Sequence, residues 1–169
     1  MGEDREPGAR VGSIGHPVPA RLHVVVLVGT ERFAFPAREV EEACDAPELS
    51  WAPGASTGFV GTLRHRERSV SAYDAGWILG VPREGRFDGA LVVRHGVSCV
   101  ALMVDDVEDL VPLEPRWVRR VPVGADTDGV LSGVYQVPGG PGGLVCIVRV
   151  STLVSQIGAR ASGNQGSGS

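Results

Sequence analysis

Apolar residues fall along this chain in short dense runs separated by polar turns, a pattern that predicts strands. The first run, Arg21 to Val28 (RLHVVVLV), holds four Val and two Leu in eight residues and reads as a strand. Gly29-Thr30-Glu31 is a turn, and Arg32 to Phe35 returns from it, giving a hairpin. Pro36 suits the first turn of a short helix, Pro36 to Val40. Glu41 to Cys44 then extends again. Phe59 to Leu63 and Ser69 to Tyr73 are the next strands, joined by the polar stretch Arg64 to Arg68. Asp74 stands at an N-cap position, where its carboxylate can accept from the free N–H groups of a short helix, Ala75 to Leu79. Gly80 and Pro82 stop that helix.

A second β-rich half follows the charged loop Arg83 to Asp88. Ala90 to Val93 and Val97 to Val104 flank a tight turn at Arg94-His95-Gly96. The second of these strands, VSCVALMV, is apolar on both faces and should lie within the fold. Asp105-Asp106 breaks it, and Val107 to Val111 resumes. Pro112 to Val121 is irregular, with Trp117 as a local anchor. Leu131 to Val137 and Leu144 to Val150 form a last strand pair joined by PGGPGG. Ser151 caps a final helix, Thr152 to Ile157, with Gly158 as its stop. The sum is roughly nine or ten short strands and three short helices, arranged as two similar β halves.

Composition supports a mainly β fold. The 24 Gly and 12 Pro among 169 residues break long helices too often for a bundle or coiled coil. The hydrophobic share of 43% supports a core. Residues 1–20 read as a flexible arm, 21–158 as one domain of two β subdomains, and 159–169 as a flexible tail. The net charge of −4, with every basic residue an Arg, argues against nucleic-acid binding through phosphates. No apolar run reaches the roughly 18 residues that cross a bilayer. The first residues lack the apolar centre of a secretion signal, so a cytoplasmic protein without membrane insertion is expected.

Candidate chemistry is sparse. His16, His23, His65 and His95 show no ligand spacing with one another or with Cys44, Cys99 and Cys146, so no metal site is expected. The thiols read as reduced and buried. Asp105, Asp106, Glu108 and Asp109 lack the alternation and Gly turn of a calcium loop and read as solvated carboxylates at a strand break. There is no G-x-S-x-G elbow, and PGGPGG lacks the Lys-Ser/Thr of a phosphate loop. No catalytic residue and no cofactor is therefore predicted. Arg64 to Arg68 (RHRER) is a short basic patch, read either as a solvated connection or as a partner-binding face. Binding modules of this kind work through grooves between β elements.

The order of the segments resembles the CheW-like domain of bacterial chemotaxis. Six stretches carry it: RLHVVVLVGTERFAFPAREVEEAC, APELSWAPGAST, FVGTLRHRERSVSAYDAGWILGVP, VSCVALMVDDVEDLVPLEP, VLSGVYQV and LVCIVRVSTLVS. They span Arg21 to Ser155. The resemblance implies two five-stranded, SH3-like β-barrel subdomains around a shared core, with short helices. It also implies a non-enzymatic adaptor without a cofactor. Its partners would be the regulatory domain of a CheA-type histidine kinase and the cytoplasmic tip of a chemoreceptor. It would then work at membrane-associated receptor arrays, in chemotaxis or a related signalling system.

The positions that match the family's binding residues are Val40 and Glu42 in its Val-x-Glu strand, Arg64 in its signature loop, and Ala101, Val107 and Leu110 beside its groove. Gly133 matches a Gly that allows close backbone approach. Asp74 matches an Asp read as a helix cap. The chain departs from the pattern at Thr62, His65, Ser71 and Ala75, where the family has Asn, Gly, Pro and Leu. An unrelated β-barrel ligand-binding module is the alternative, although three Trp and two Tyr are few for stacking sugars. A small enzyme is a third reading and would need a cleft with converging titratable groups.

Overall fold

The two most apolar hairpins of the sequence face each other across the largest core cluster. The computed structural model describes residues 21–45, 47–52, 58–125, 128–136 and 143–163. In it β1 (Leu22–Val28) pairs antiparallel with β2 (Glu31–Pro36), and β7 (Gly89–His95) with β8 (Ser98–Val104). The first hairpin leads into β3 (Val40–Asp45), β4 (Leu49–Trp51), β5 (Phe59–His65), β6 (Arg68–Asp74) and helix α1 (Ala75–Leu79). The second leads into β9 (Asp106–Pro112), β10 (Val118–Arg119), β11 (Leu131–Tyr135), β12 (Val145–Val148) and helix α2 (Val150–Gly163). The two halves of the chain thus repeat one order of elements.

The sheets do not follow the halves. Sheet I has the order β10-β11-β12-β2-β1-β9, and sheet II the order β4-β5-β6-β8-β7-β3. Each sheet takes four strands from one half and the hairpin of the other. The strand after each hairpin, β3 or β9, crosses to the opposite sheet. One parallel pair joins hairpin to host in each, β12 with β2 and β6 with β8. Both are curled sheets of the mainly β class expected from the sequence. Each carries six strands where five were expected, with the short β10 and β4 at their ends.

This exchange explains the unbroken apolar runs, because a hairpin buried on both faces needs no polar alternation. Val24, Val26 and Val28 of β1 meet Leu91, Val93, Leu102 and Val104 of the other hairpin in the shared core. Val25 and Ala34 face the other way, into sheet I's own cluster with Leu113 and Ile147. Ala90, Val92, Ala101 and Met103 likewise join Leu63, Val70 and Ala72 inside sheet II.

Helix ends divide the expectations. Asp74 caps α1 as its chemistry predicts, its Oδ1 accepting from the Gly76 N–H at 2.8 Å, and Gly80 closes the helix at φ 71°. Helix α2 differs. It begins at Val150 with the Leu153 N–H donating to the Arg149 carbonyl, so Ser151 lies inside it and is no cap. It also continues through Gly158 to Gly163, into the segment expected to be a tail. A Gly in a helix costs about 1 kcal/mol. Here Leu153 and Ile157 anchor the helix to the core, and Arg160 ties its next turn to Trp77 and Asp128. The expected helix Pro36 to Val40 is a single 3-10 turn, Ala37–Glu39. Residues 1–20 and 164–169, and the loop 137–142 that includes most of PGGPGG, lie outside the described residues.

Candidate functional site

Strand β3 is bent by a bulge. Val40 pairs with Val93 and Glu42 with Val92, leaving Glu41 as the extra residue. A bulge re-aims the side chains around it, and here Glu41 and Glu42 both reach His65 at the end of β5. The His65 Nδ1 lies 2.6 Å from Glu42 Oε2, and its Nε2 lies 2.8 Å from Glu41 Oε2. These strands are far apart in the sheet order, so the contact draws the curl of sheet II together. His65 is only 4% exposed, which corrects its expected place in a polar turn. The other Glu41 oxygen accepts from Arg94 Nε on β7. That bond holds the Glu41 carboxyl below the ordinary carboxylate range, against the opposing effect of burial and with help from His65.

Sheet I repeats the device. Val25 pairs with Asp109 and Val26 with Val107, so Glu108 is the extra residue of β9. Its Oε2 accepts from Arg32 Nε at 2.8 Å. Just before β9, Asp105 ties the two halves together. Its Oδ2 accepts from the Gly29 N–H at 2.6 Å, and its Oδ1 from Arg83 Nη2 at 3.1 Å. Burial alone would raise the Asp105 carboxyl, but Arg83 and the Gly29 N–H outweigh it and hold the group low. Asp105 is therefore a bonded residue and not the solvated carboxylate expected. Asp106 and Asp109 are exposed.

The seven residues expected to bind partners fall into four groups. Val40 and Ala101 are buried, at 2% and 0% exposure. Val40 lies in the shared core and Ala101 between Ala72 and Val92 inside sheet II, so both shape the surface from beneath. Glu42 and Arg64 stand at one end of sheet II, Glu42 bonded to His65 and Arg64 exposed on β5 opposite Ser69. Val107 and Leu110 lie on β9, the edge strand of sheet I. Val107 packs half-buried on the shared core, and Leu110 is 42% exposed. Strands β3 and β9 touch, which brings the Glu42 and Val107 strands side by side. Gly133 is apart, on β11, with three strands between it and β9. A Cβ there would meet Val118 Cγ1 at 3.0 Å and the Arg119 carbonyl at 3.2 Å, the close approach its type suggested.

Sequence reasoning missed the Glu41–His65–Glu42 cluster. The available signal was Val-Glu-Glu-Ala-Cys, where two successive acids interrupt a strand and so mark a bulge. The three cysteines are free and half-buried, not buried. Burial raises the Cys99 and Cys146 thiols, which favours their protonated form. Among the described residues, no group of three or more His, Cys, Asp or Glu is placed to hold a metal ion. No described helix is long and apolar enough to cross a membrane.

Comparison with known proteins agrees with this architecture. No curated protein matches the chain by sequence. Among solved structures, the fold is similar to that of the scaffolding protein TtCheW from Thermoanaerobacter tengcongensis. The TM-score is 0.65 at 16% identity, covering 78% of this chain and 90% of that one. The model of the CheW-like domain matches residues 23–158, which takes in both hairpins, both crossing strands and most of α2, and the chain accordingly belongs to the CheW-like domain family.

Proposed function

We propose that this chain is a non-enzymatic adaptor in a bacterial chemotaxis-type signalling array. It couples the cytoplasmic tip of a chemoreceptor to the regulatory domain of a CheA-type histidine kinase. The observation that supports this most directly is the outer edge of β9. Edge strands offer unpaired backbone groups, and this one adds the exposed Leu110 beside the half-buried Val107. Leu110 and Val107 suit an apolar helical partner lying along the seam between the sheets. Arg64, exposed at the end of sheet II, suits a carboxylate or carbonyl acceptor on a partner. Glu42 acts by fixing His65 and so the end of β5 that carries Arg64. Val40, Ala101 and Gly133 support the surface without touching a partner. Modest single contacts suffice in an array, where several act together. The protein would then work on the cytoplasmic side, beside membrane-bound receptors.

Co-sedimentation with the cognate kinase and receptor tests the reading. Binding at micromolar concentrations is expected. Arg64→Ala and Leu110→Arg should each weaken it roughly ten-fold or more, without loss of the folded circular dichroism spectrum. Absence of binding to either partner at those concentrations would overturn it.

A further inference from the structure

Among the described residues three two-residue hairpin turns occur, and one of them is built from unfavourable residues. The β1–β2 and β7–β8 turns begin with Gly29 and Gly96, at φ 60° and 62°. The β5–β6 turn instead sets Arg66 and Glu67 in the left-handed region, at φ 48° and 63°. Tight hairpins favour Asn or Gly there, because a side chain in that region strains the backbone. Strain of this kind is retained where a side chain is needed.

The strained turn borders a cavity of about 350 Å3. Arg66, Arg68 and Arg94 line it from the β5–β6 and β7–β8 hairpins, with Ser69 and Ser71 from one face of β6 and Cys99 from β8. The charges of all three guanidinium groups, and that of Glu41, act on the Cys99 thiol. Glu41 is the one carboxylate lining the cavity. It already takes Nε of Arg94 and Nε2 of His65. Among the lining residues three Arg stand against one Glu, a surplus of two positive charges, with His65 held between Glu41 and Glu42. That local surplus stands out in a chain of net charge −4. Among the described residues the side chains of Arg66 and Arg68 make no hydrogen bond or ion pair, and Arg94 has further N–H groups beyond the one given to Glu41.

We propose that this cavity is a binding site for small anions that carry more than one phosphoryl group. Guanidinium forks bind phosphoryl oxygens in pairs, and the two Ser hydroxyls add neutral donors. The volume, room for about ten waters, is generous for a single phosphate. The surplus charge matches a linked pair of phosphoryl groups. This site is separate from the β9 edge and does not rest on the adaptor reading.

The test is a titration of the full chain with inorganic pyrophosphate at low ionic strength, read by backbone amide resonances. Saturable shifts at Ser69, Ser71 and Cys99 are expected, with orthophosphate binding about ten-fold more weakly. Sodium chloride at equal ionic strength should leave those resonances in place. Arg68→Gln should weaken pyrophosphate binding about ten-fold. Arg66→Gly is the sharper variant, because Gly is at home at that φ. It should weaken binding while the unfolding midpoint does not fall. Glu67→Gly relieves the same turn but keeps every lining Arg, and should bind as the parent does. Equal shifts with sodium chloride, or undiminished affinity in both Arg variants, would overturn the proposal.

Discussion

Sheet I and sheet II each receive a bulged strand with Glu at the extra position, Glu108 in β9 and Glu41 in β3. An Arg of the guest hairpin then takes that carboxylate, Arg32 in one and Arg94 in the other. The resemblance ends there. Glu41 also contacts His65, which brings in Glu42 and secures β5 to β3 across the mouth of sheet II. Among the described residues Glu108 has no such partner beyond Arg32, and its side chain is 25% exposed against 17% for Glu41. One topology thus carries two kinds of lock, a surface ion pair and a closed polar cluster. The cluster lies at the end of sheet II that holds Arg64 and the Arg-lined cavity, where side chains must be placed accurately.

The largest effect should separate the two turns that begin the guest hairpins. Gly29→Ala places a Cβ 2.4 Å from the Pro82 carbonyl oxygen and should cost about 3 kcal/mol or more. Gly96→Ala has the same φ sign but no neighbour within 4 Å, and should cost about 1 kcal/mol. Urea unfolding midpoints measure both, and equal losses would remove the claim that the first turn is clamped. Next in size, His65→Ala removes the imidazole that two part-buried carboxylates share and should cost about 2 kcal/mol, Glu41 keeping Arg94. Its counterpart, Arg32→Ala in sheet I, should cost less than about 1 kcal/mol. If the two variants melt alike, the locks do not differ.

A smaller effect is an acid limb. Glu41 and Asp105 both have carboxyls held low in the folded state. The unfolded chain therefore takes up their protons first. Their contribution is complete above the ordinary carboxylate range, near pH 4. It fades as pH falls through the lower folded values. Glu41→Gln should lower stability at neutral pH and flatten the acid dependence, while Glu108→Gln should change the slope less. Thermal melts between pH 3 and 7 decide this.

The hairpins were legible in the sequence because burial on both faces writes itself as unbroken Val, Leu and Ala. The α1 cap was legible because Asp74 and Gly80 act on their immediate neighbours. Sheet membership was not, since nothing local distinguishes β3 staying beside β2 from β3 crossing to β7. The His65 cluster was hidden for the same reason. Its members are 23 and 24 positions apart, and a bulge, not the strand period, aims both carboxylates. The far end of α2 was misjudged because Gly158 is a stop signal by itself, whereas Arg160 finds Trp77 and Asp128 on distant segments.

The crossing of β3 and β9 has a consequence for how the molecule is built and taken apart. Each half surrenders its hairpin to the other, as two identical chains do in a domain-swapped dimer, but here a single linker fuses them. Sheet I does not exist until residues more than half the chain apart have met, as β12 must meet β2. Such long loop closures slow folding and bind both halves into one cooperative transition. Cleavage in the loop between α1 and β7 should therefore leave two fragments that stay associated, each completing the sheet the other began.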